Sequence, residues 1–108
     1  MAEEPVKLVV VRESHNVIRD IRRLAADSKN VFLTQHVREK MQKRGISRVQ
    51  IDRCLEHGQQ DGPPEDQGDG CWRARMRHRT AGVQINVVVD LEVTVQGDVI
   101  IVVTTFRS

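Results

Sequence analysis

Four arginines stand at every second position, Arg73, Arg75, Arg77 and Arg79, and Trp72, Ala74, Met76 and His78 fall between them. A period of two is that of a β-strand, so the four guanidinium groups point to one face and the apolar set to the other. Like charges in such a row repel one another unless something negative lies over them. Two readings fit. The row is either a solvated strand whose charges protect it from edge pairing, or a platform whose guanidinium forks grip successive backbone phosphates.

A second basic stripe is formed by His36, Lys40 and Arg44, which step by four and so line one face of a helix. Taken alone, such a stripe is more often a solvated helix face than a functional one. His36 is the histidine in line with two cations and is the candidate proton acceptor. His78 shares the Trp72 and Met76 side and reads as a partly buried core histidine. His57 reads as a helix-end residue favoured by the dipole, and His15 has no assigned role.

Cys54 and Cys71 make no C-x-x-C pair and read as core or near-core thiols. Cys54-x-x-His57 with Cys71 and His78 can be written as a zinc set, but the second spacing suits no common structural site. Paired-carboxylate motifs, a Gly-rich phosphate loop and a G-x-S-x-G elbow are all missing. Any catalysis is therefore expected to use no metal and no cofactor, and to rest on Arg, Lys, His and polar groups. With no tyrosine and 3% aromatic residues, the chain offers little for stacking bases on a sheet.

The elements that must position these residues follow from pattern and punctuation. Residues 6–11, rich in valine after Pro5, predict a short strand. Val17, Ile18, Ile21, Leu24 and Ala25 recur at helical spacing, with Ser14 or Asn16 as cap and Asn30 as terminator. A second helix follows Thr34 and stops at Gly45, with Leu33, Val37 and Met41 as its apolar seam. Ser47 and Gln50 form a capping box for a third helix that ends at Gly58. Residues 58–70 read as a flexible acidic loop. The arginine strand, residues 83–95 and residues 99–106, joined at Ala81-Gly82 and Gln96-Gly97-Asp98, form a meander. The expected fold is α+β, an N-terminal strand and three helices packed on an antiparallel meander, in one domain over residues 1–108.

The formal net charge is only +2, but it is unevenly spread. Residues 12–53 hold eleven Lys/Arg against five Asp/Glu, and residues 58–70 hold four acids and no base. This asymmetry suggests an anionic partner such as nucleic acid or an acidic protein segment. The apolar runs are too short to span a membrane, and the first residues lack the basic and apolar regions of a secretory signal, so a cytoplasmic protein is expected.

Residues 34–47, Thr34-Gln35-His36-Val37-Arg38-Glu39-Lys40-Met41-Gln42-Lys43-Arg44-Gly45-Ile46-Ser47, resemble the T-x-H-A-x-x-R-M-x-x-R-G-I-S signature of a widespread family of small bacterial proteins assigned by fold to the RelE-like toxins. The stretch from His15 to Ser108 also resembles the MqsR-type mRNA interferases of that superfamily, most clearly at Trp72-Arg73, at residues 82–87 and from Asp98 through Phe106-Arg107. Arg107 takes the place of their terminal basic residue and Arg73 that of a glutamine. Gln84 and Asn86 stand where they have tyrosine and lysine.

What the resemblance implies is a metal-independent endoribonuclease toxin, held in check by a cognate antitoxin protein and acting on RNA, free or ribosome-bound. An RNA 2′-hydroxyl would attack the adjacent phosphate, His36 or another sheet-facing base would take its proton, and Arg73, Arg75 and Arg107 would stabilise the pentacovalent charge. Lys40, Arg44, Arg77 and Gln84 would hold the RNA. This arrangement expects Arg107 to share a face with Arg73 and Arg75. Two other classes stay open: a non-catalytic basic module for nucleic acid or an acidic partner, and a toxin that binds an essential enzyme.

Overall fold

The computed structural model describes residues 12–108. The strand expected over residues 6–11 lies outside them. Helix α1 (Ser14–Ala25) is followed by a single 3-10 turn (Ser28–Asn30), and strand β1 (Val31–Leu33) leads into helices α2 (Gln35–Arg44) and α3 (Arg48–His57). Strands β2 (Gln59–Gln60), β3 (Glu65–Gly68), β4 (Cys71–Thr80), β5 (Val83–Thr94) and β6 (Gly97–Arg107) complete the chain. The fold is α+β.

Local chemistry sets most of these boundaries. Thr34 accepts a hydrogen bond from the Val37 amide, and Gly45 ends α2 in the left-handed conformation at φ 65°. Ser47 and Gln50 form both halves of the capping box of α3. The cap of α1 differs from expectation: Glu13 holds the position and makes no side-chain capping bond. Leu33 also differs, lying in β1 instead of in the seam of α2.

The strands form one sheet in the order β1-β6-β5-β4-β2, with β3 also on β4. The expected meander is its centre, antiparallel from β4 through β6. Three short strands extend it. On one side β1 runs parallel to β6, and on the other the acidic segment 58–70 folds back as β2 and β3 along the outer edge of β4. That segment is thus not a plain loop. Its backbone is tied to β4 by strand pairing, and the Asp61 amide donates to the Arg75 carbonyl at 2.8 Å.

Alternation puts Ala74, Met76, Ile85, Val87, Val89, Leu91, Ile100 and Val102 on one side of the sheet. There they meet Val17, Ile21 and Leu24 of α1, Val37 of α2 and Ile51, Cys54 and Leu55 of α3 in a single core. No described helix packs on the opposite face. Asp20 is a buried acid of α1 that accepts from Arg12 at 2.9 Å, and Arg12 also reaches Asp98 at the start of β6. This links helix and sheet through paired charge.

Asp52 of α3 is less well served. Its Oδ1 is buried with no hydrogen-bond partner among the described residues, and Arg48 approaches Oδ2 at 3.7 Å. Burial raises the Asp52 carboxyl above its ordinary range, outweighing Arg48. A carboxyl raised in the fold holds protons there that the unfolded chain releases, so its ionised form costs stability at neutral pH and the cost fades on acidification. Asp52→Asn is accordingly expected to be more stable than wild type at pH 7, with the gap closing toward about pH 4. Denaturant midpoints across that range check the sign, and a less stable variant at pH 7 contradicts it.

Candidate nucleic-acid interface

The arginine row lies as the alternation requires. Ala74 and Met76 are buried, and Arg75, Arg77 and Arg79 are exposed on the face away from the helices. Strand pairing sets their neighbours: Asp90 opposite Arg73, Val88 opposite Arg75, Asn86 opposite Arg77 and Gln84 opposite Arg79. The row is not uniform. Arg73 donates from two nitrogens to Asp90, at 2.8 and 3.1 Å, and this fork raises the Arg73 guanidinium above its ordinary value. Glu65 stands opposite Arg73 on the other edge. Arg75, Arg77 and Arg79 have no ion pair or side-chain hydrogen bond among the described residues. Three cations of the row therefore remain available to an anion, while the fourth already holds a carboxylate.

Arg107 is not among them, contrary to the expected shared face. It pairs with Ile85, on the helix side of the sheet, and donates to the Arg44 carbonyl at 3.2 Å. The cause is a bulge. Val89 faces Val102 while Val88 faces Thr104, so Val103 is an extra residue in β6 and the alternation changes phase across it. Before the bulge Ile100 and Val102 point to the core; after it Thr105 does, its hydroxyl donating to the Asn86 carbonyl at 2.9 Å. Without the bulge Arg107 would join the arginine row.

The α2 stripe is likewise apart from the row. His36 is exposed on the first turn of α2, Lys40 Nζ donates to Thr104 Oγ1 at 3.2 Å, and Arg44 donates to the Thr105 carbonyl at 2.7 Å. Lys40, Arg44 and Arg107 are thereby engaged where α2 meets β6. The expected site thus divides in two, His36 with Lys40, Arg44 and Arg107 at this corner, and Arg73, Arg75 and Arg77 with Gln84 on the sheet face.

The free part of the row runs into a cleft that the sequence reading missed. His57, Gln59, Arg77, His78, Arg79 and Gln84 line a space of about 390 Å³ at the end of β4. Strand β2 pairs only with Met76 and Arg77, which leaves the edge of β4 open beyond them. Gly58 brings α3 up to that edge: a Cβ there would meet the Cys54 carbonyl, and the Arg77 carbonyl at 2.6 Å. Its φ is an ordinary −71°, so the glycine is needed for close approach and not for backbone freedom. Gly58→Ala is expected to cost roughly 1–3 kcal/mol by overpacking, read from thermal or denaturant unfolding; unchanged stability contradicts the close approach. No spacing rule links His57 to His78, because one ends a helix and the other sits in a strand 21 positions later.

The cysteines are free. Cys54 is fully buried, its thiol is pushed up to about 12 by burial, and Sγ lies 3.6 Å from the Ile85 carbonyl. Burial, then Asp90 and Glu92, raise the half-buried Cys71. The zinc set written from the sequence does not assemble. Among the described residues the potential metal ligands that converge are Cys71, Asp90 and Glu92, and Asp90 is already taken by Arg73.

Compared with known families, residues 33–107 match the model described as a domain of unknown function, DUF4258. The chain belongs to the DUF4258 family. The matched region begins at the last residue of β1 and reaches the last residue of β6, so the DUF4258 domain contains α2, the arginine row and every residue of the cleft. No curated protein and no solved structure matches the chain. No described helix is long and apolar enough to cross a membrane.

Proposed function

We propose that this protein is a metal-independent endoribonuclease of the RelE-like toxin kind, acting on single-stranded RNA in the cytoplasm and restrained by a protein antitoxin. The observation that carries the RNA part is the row Arg75, Arg77 and Arg79, three guanidinium groups on one face with no described partner. Residues two apart on a strand are separated by about 6.7 Å, a spacing along which an extended nucleic-acid strand can present one phosphate after another. Guanidinium forks suit phosphate oxygens and carry no base preference. The near lack of aromatic side chains argues for phosphate contacts over stacking.

Such binding must weaken with salt. Three neutralised phosphates on a single strand give a slope of about −2 in log affinity against log salt, measured by fluorescence anisotropy with a labelled oligoribonucleotide. A slope near zero, or no binding at low salt, overturns the reading. A second reading, capture of an acidic protein segment, is favoured by the fork between Arg73 and Asp90, which displays this face holding a carboxylate. Competition by an acidic peptide at concentrations where RNA fails to bind would favour it.

A further inference from the structure

We infer that the cleft between the end of α3 and the open edge of β4 is where the phosphodiester bond is broken, with His57 and His78 as its acid and base. The inference rests on the RNA reading above and adds a catalytic centre to it, different from the His36 site expected from the sequence.

His57 and His78, from different elements, line one cleft together with Gln59, Arg77, Arg79 and Gln84. Neither ring has a hydrogen-bond partner among the described residues. Among the described residues the one charged contact to either is Glu56 Oε2, 3.8 Å from His57 Nε2, and the His57 side chain is 64% exposed. His78 is half-buried, as its strand phase suggested, and sits where β4 has run past its pairing with β2. A volume of about 390 Å³ falls in the range that accommodates a small ligand or one nucleotide step. Arg77 and Arg79 are at once the end of the phosphate row and residues of the cleft, and because β4 is unpaired beyond β2, RNA on the row reaches His78 on the other face around this open strand edge.

Metal-free cleavage of RNA needs these groups. One imidazole accepts the proton of the 2′-hydroxyl as its oxygen attacks the neighbouring phosphorus, forming the new P–O2′ bond. The other, protonated, donates to the 5′-oxygen as the P–O5′ bond breaks. Products are a 2′,3′-cyclic phosphate and a 5′-hydroxyl; one ring has gained the proton and the other lost one, and exchange with water restores both. Arg77 and Arg79 leave β4 on the face opposite His78, and their long side chains, folded over the open strand edge, supply positive charge to the pentacovalent state, while Gln84 and Gln59 offer amide donors to the phosphate oxygens. His36, on α2 away from these residues, takes no part.

The test uses the full chain, chelator throughout, and a mixed-sequence labelled RNA presented free and on ribosomes. Binding is measured separately with the same sequence carrying 2′-O-methyl groups, which cannot be cut by this route. Wild type is expected to leave 2′,3′-cyclic phosphate ends. His57→Gln and His78→Gln are each expected to lower cleavage by two to four orders of magnitude while binding of the 2′-O-methyl strand stays within about twofold. His15→Gln, on the exposed start of α1, is the control and should cut as wild type. His57 is exposed, so its replacement leaves the fold intact; thermal unfolding verifies this for the His78 variant. Cleavage unchanged in either histidine variant overturns the inference and leaves the endoribonuclease reading standing, whereas a wild type that binds but never cuts overturns both the inference and the endoribonuclease reading and leaves only RNA binding standing. Failure of wild type to bind the 2′-O-methyl strand at low salt overturns all three.

Discussion

Replacing Arg77 and Arg79 together by alanine is expected to lower RNA cleavage by roughly two to three orders of magnitude and to reduce the salt slope of binding by about 1.4. Both side chains are exposed and unpaired among the described residues, and both residues line the cleft. Their removal takes away two phosphate contacts and the charge opposite the transition state, and it breaks no contact within the fold. Stability should stay within about 1 kcal/mol, and lysine at either position should rescue poorly if the guanidinium acts as a fork. Arg107→Ala makes the useful contrast. Arg107 is as cationic and as exposed, but the bulge at Val103 places it on the helix side beside Arg44, so its loss should change cleavage by less than about threefold. Single-turnover cleavage and anisotropy titrations on the three variants check this. Equal losses for Arg107→Ala and the double variant would show that the face of the sheet does not matter, and the assignment of the site to the arginine row would fall.

The largest effect on stability is expected from Ile51→Ala. Ile51 is fully buried on α3, in the core that joins this helix to β4 and β5. Truncating a buried isoleucine removes apolar contacts and leaves a cavity that the surrounding strands cannot close, at a cost of about 2–5 kcal/mol. In a domain of this size that lowers the melting temperature by more than roughly 8 °C. Val49, on the same helix but 58% exposed, should tolerate alanine within about 0.5 kcal/mol. Because α3 also ends in His57, Ile51→Ala should lower cleavage near its melting point before it lowers RNA binding, which depends on strand β4. Equal stability of the two variants would contradict the packing of α3 on the sheet.

Much of the fold was legible because its signals are local. Thr34, Gly45 and the Ser47-Gln50 box act within one turn of backbone, and the structure shows each doing so. The alternation through Arg73–Arg79 acts within one strand, and it separated the charged face from the buried Ala74 and Met76 correctly. The missed elements are those whose reason lies elsewhere in the chain. β1 is three residues long and exists because β6 offers it an edge, and β2 and β3 exist because β4 does. Short segments rich in Gly, Pro and Asp carry no strand pattern of their own.

The sequence by itself therefore determined the class of fold, the three helices with the caps of the second and third, the meander, and the presence of an arginine face suited to an anion. Only the tertiary structure decided which of these basic groups share a site. One extra residue in β6 reversed the side chains beyond it and sent Arg107 away from the row, since a period of two makes the facing of every later residue depend on a single insertion. Asp90 neutralised Arg73 from the neighbouring strand, where no linear spacing reveals it. The close approach at Gly58 carried His57 to the open edge beside His78, joining two histidines that the chain keeps apart. Residue types and local periods are written along the chain, whereas the meeting of side chains depends on register and packing between elements distant in it.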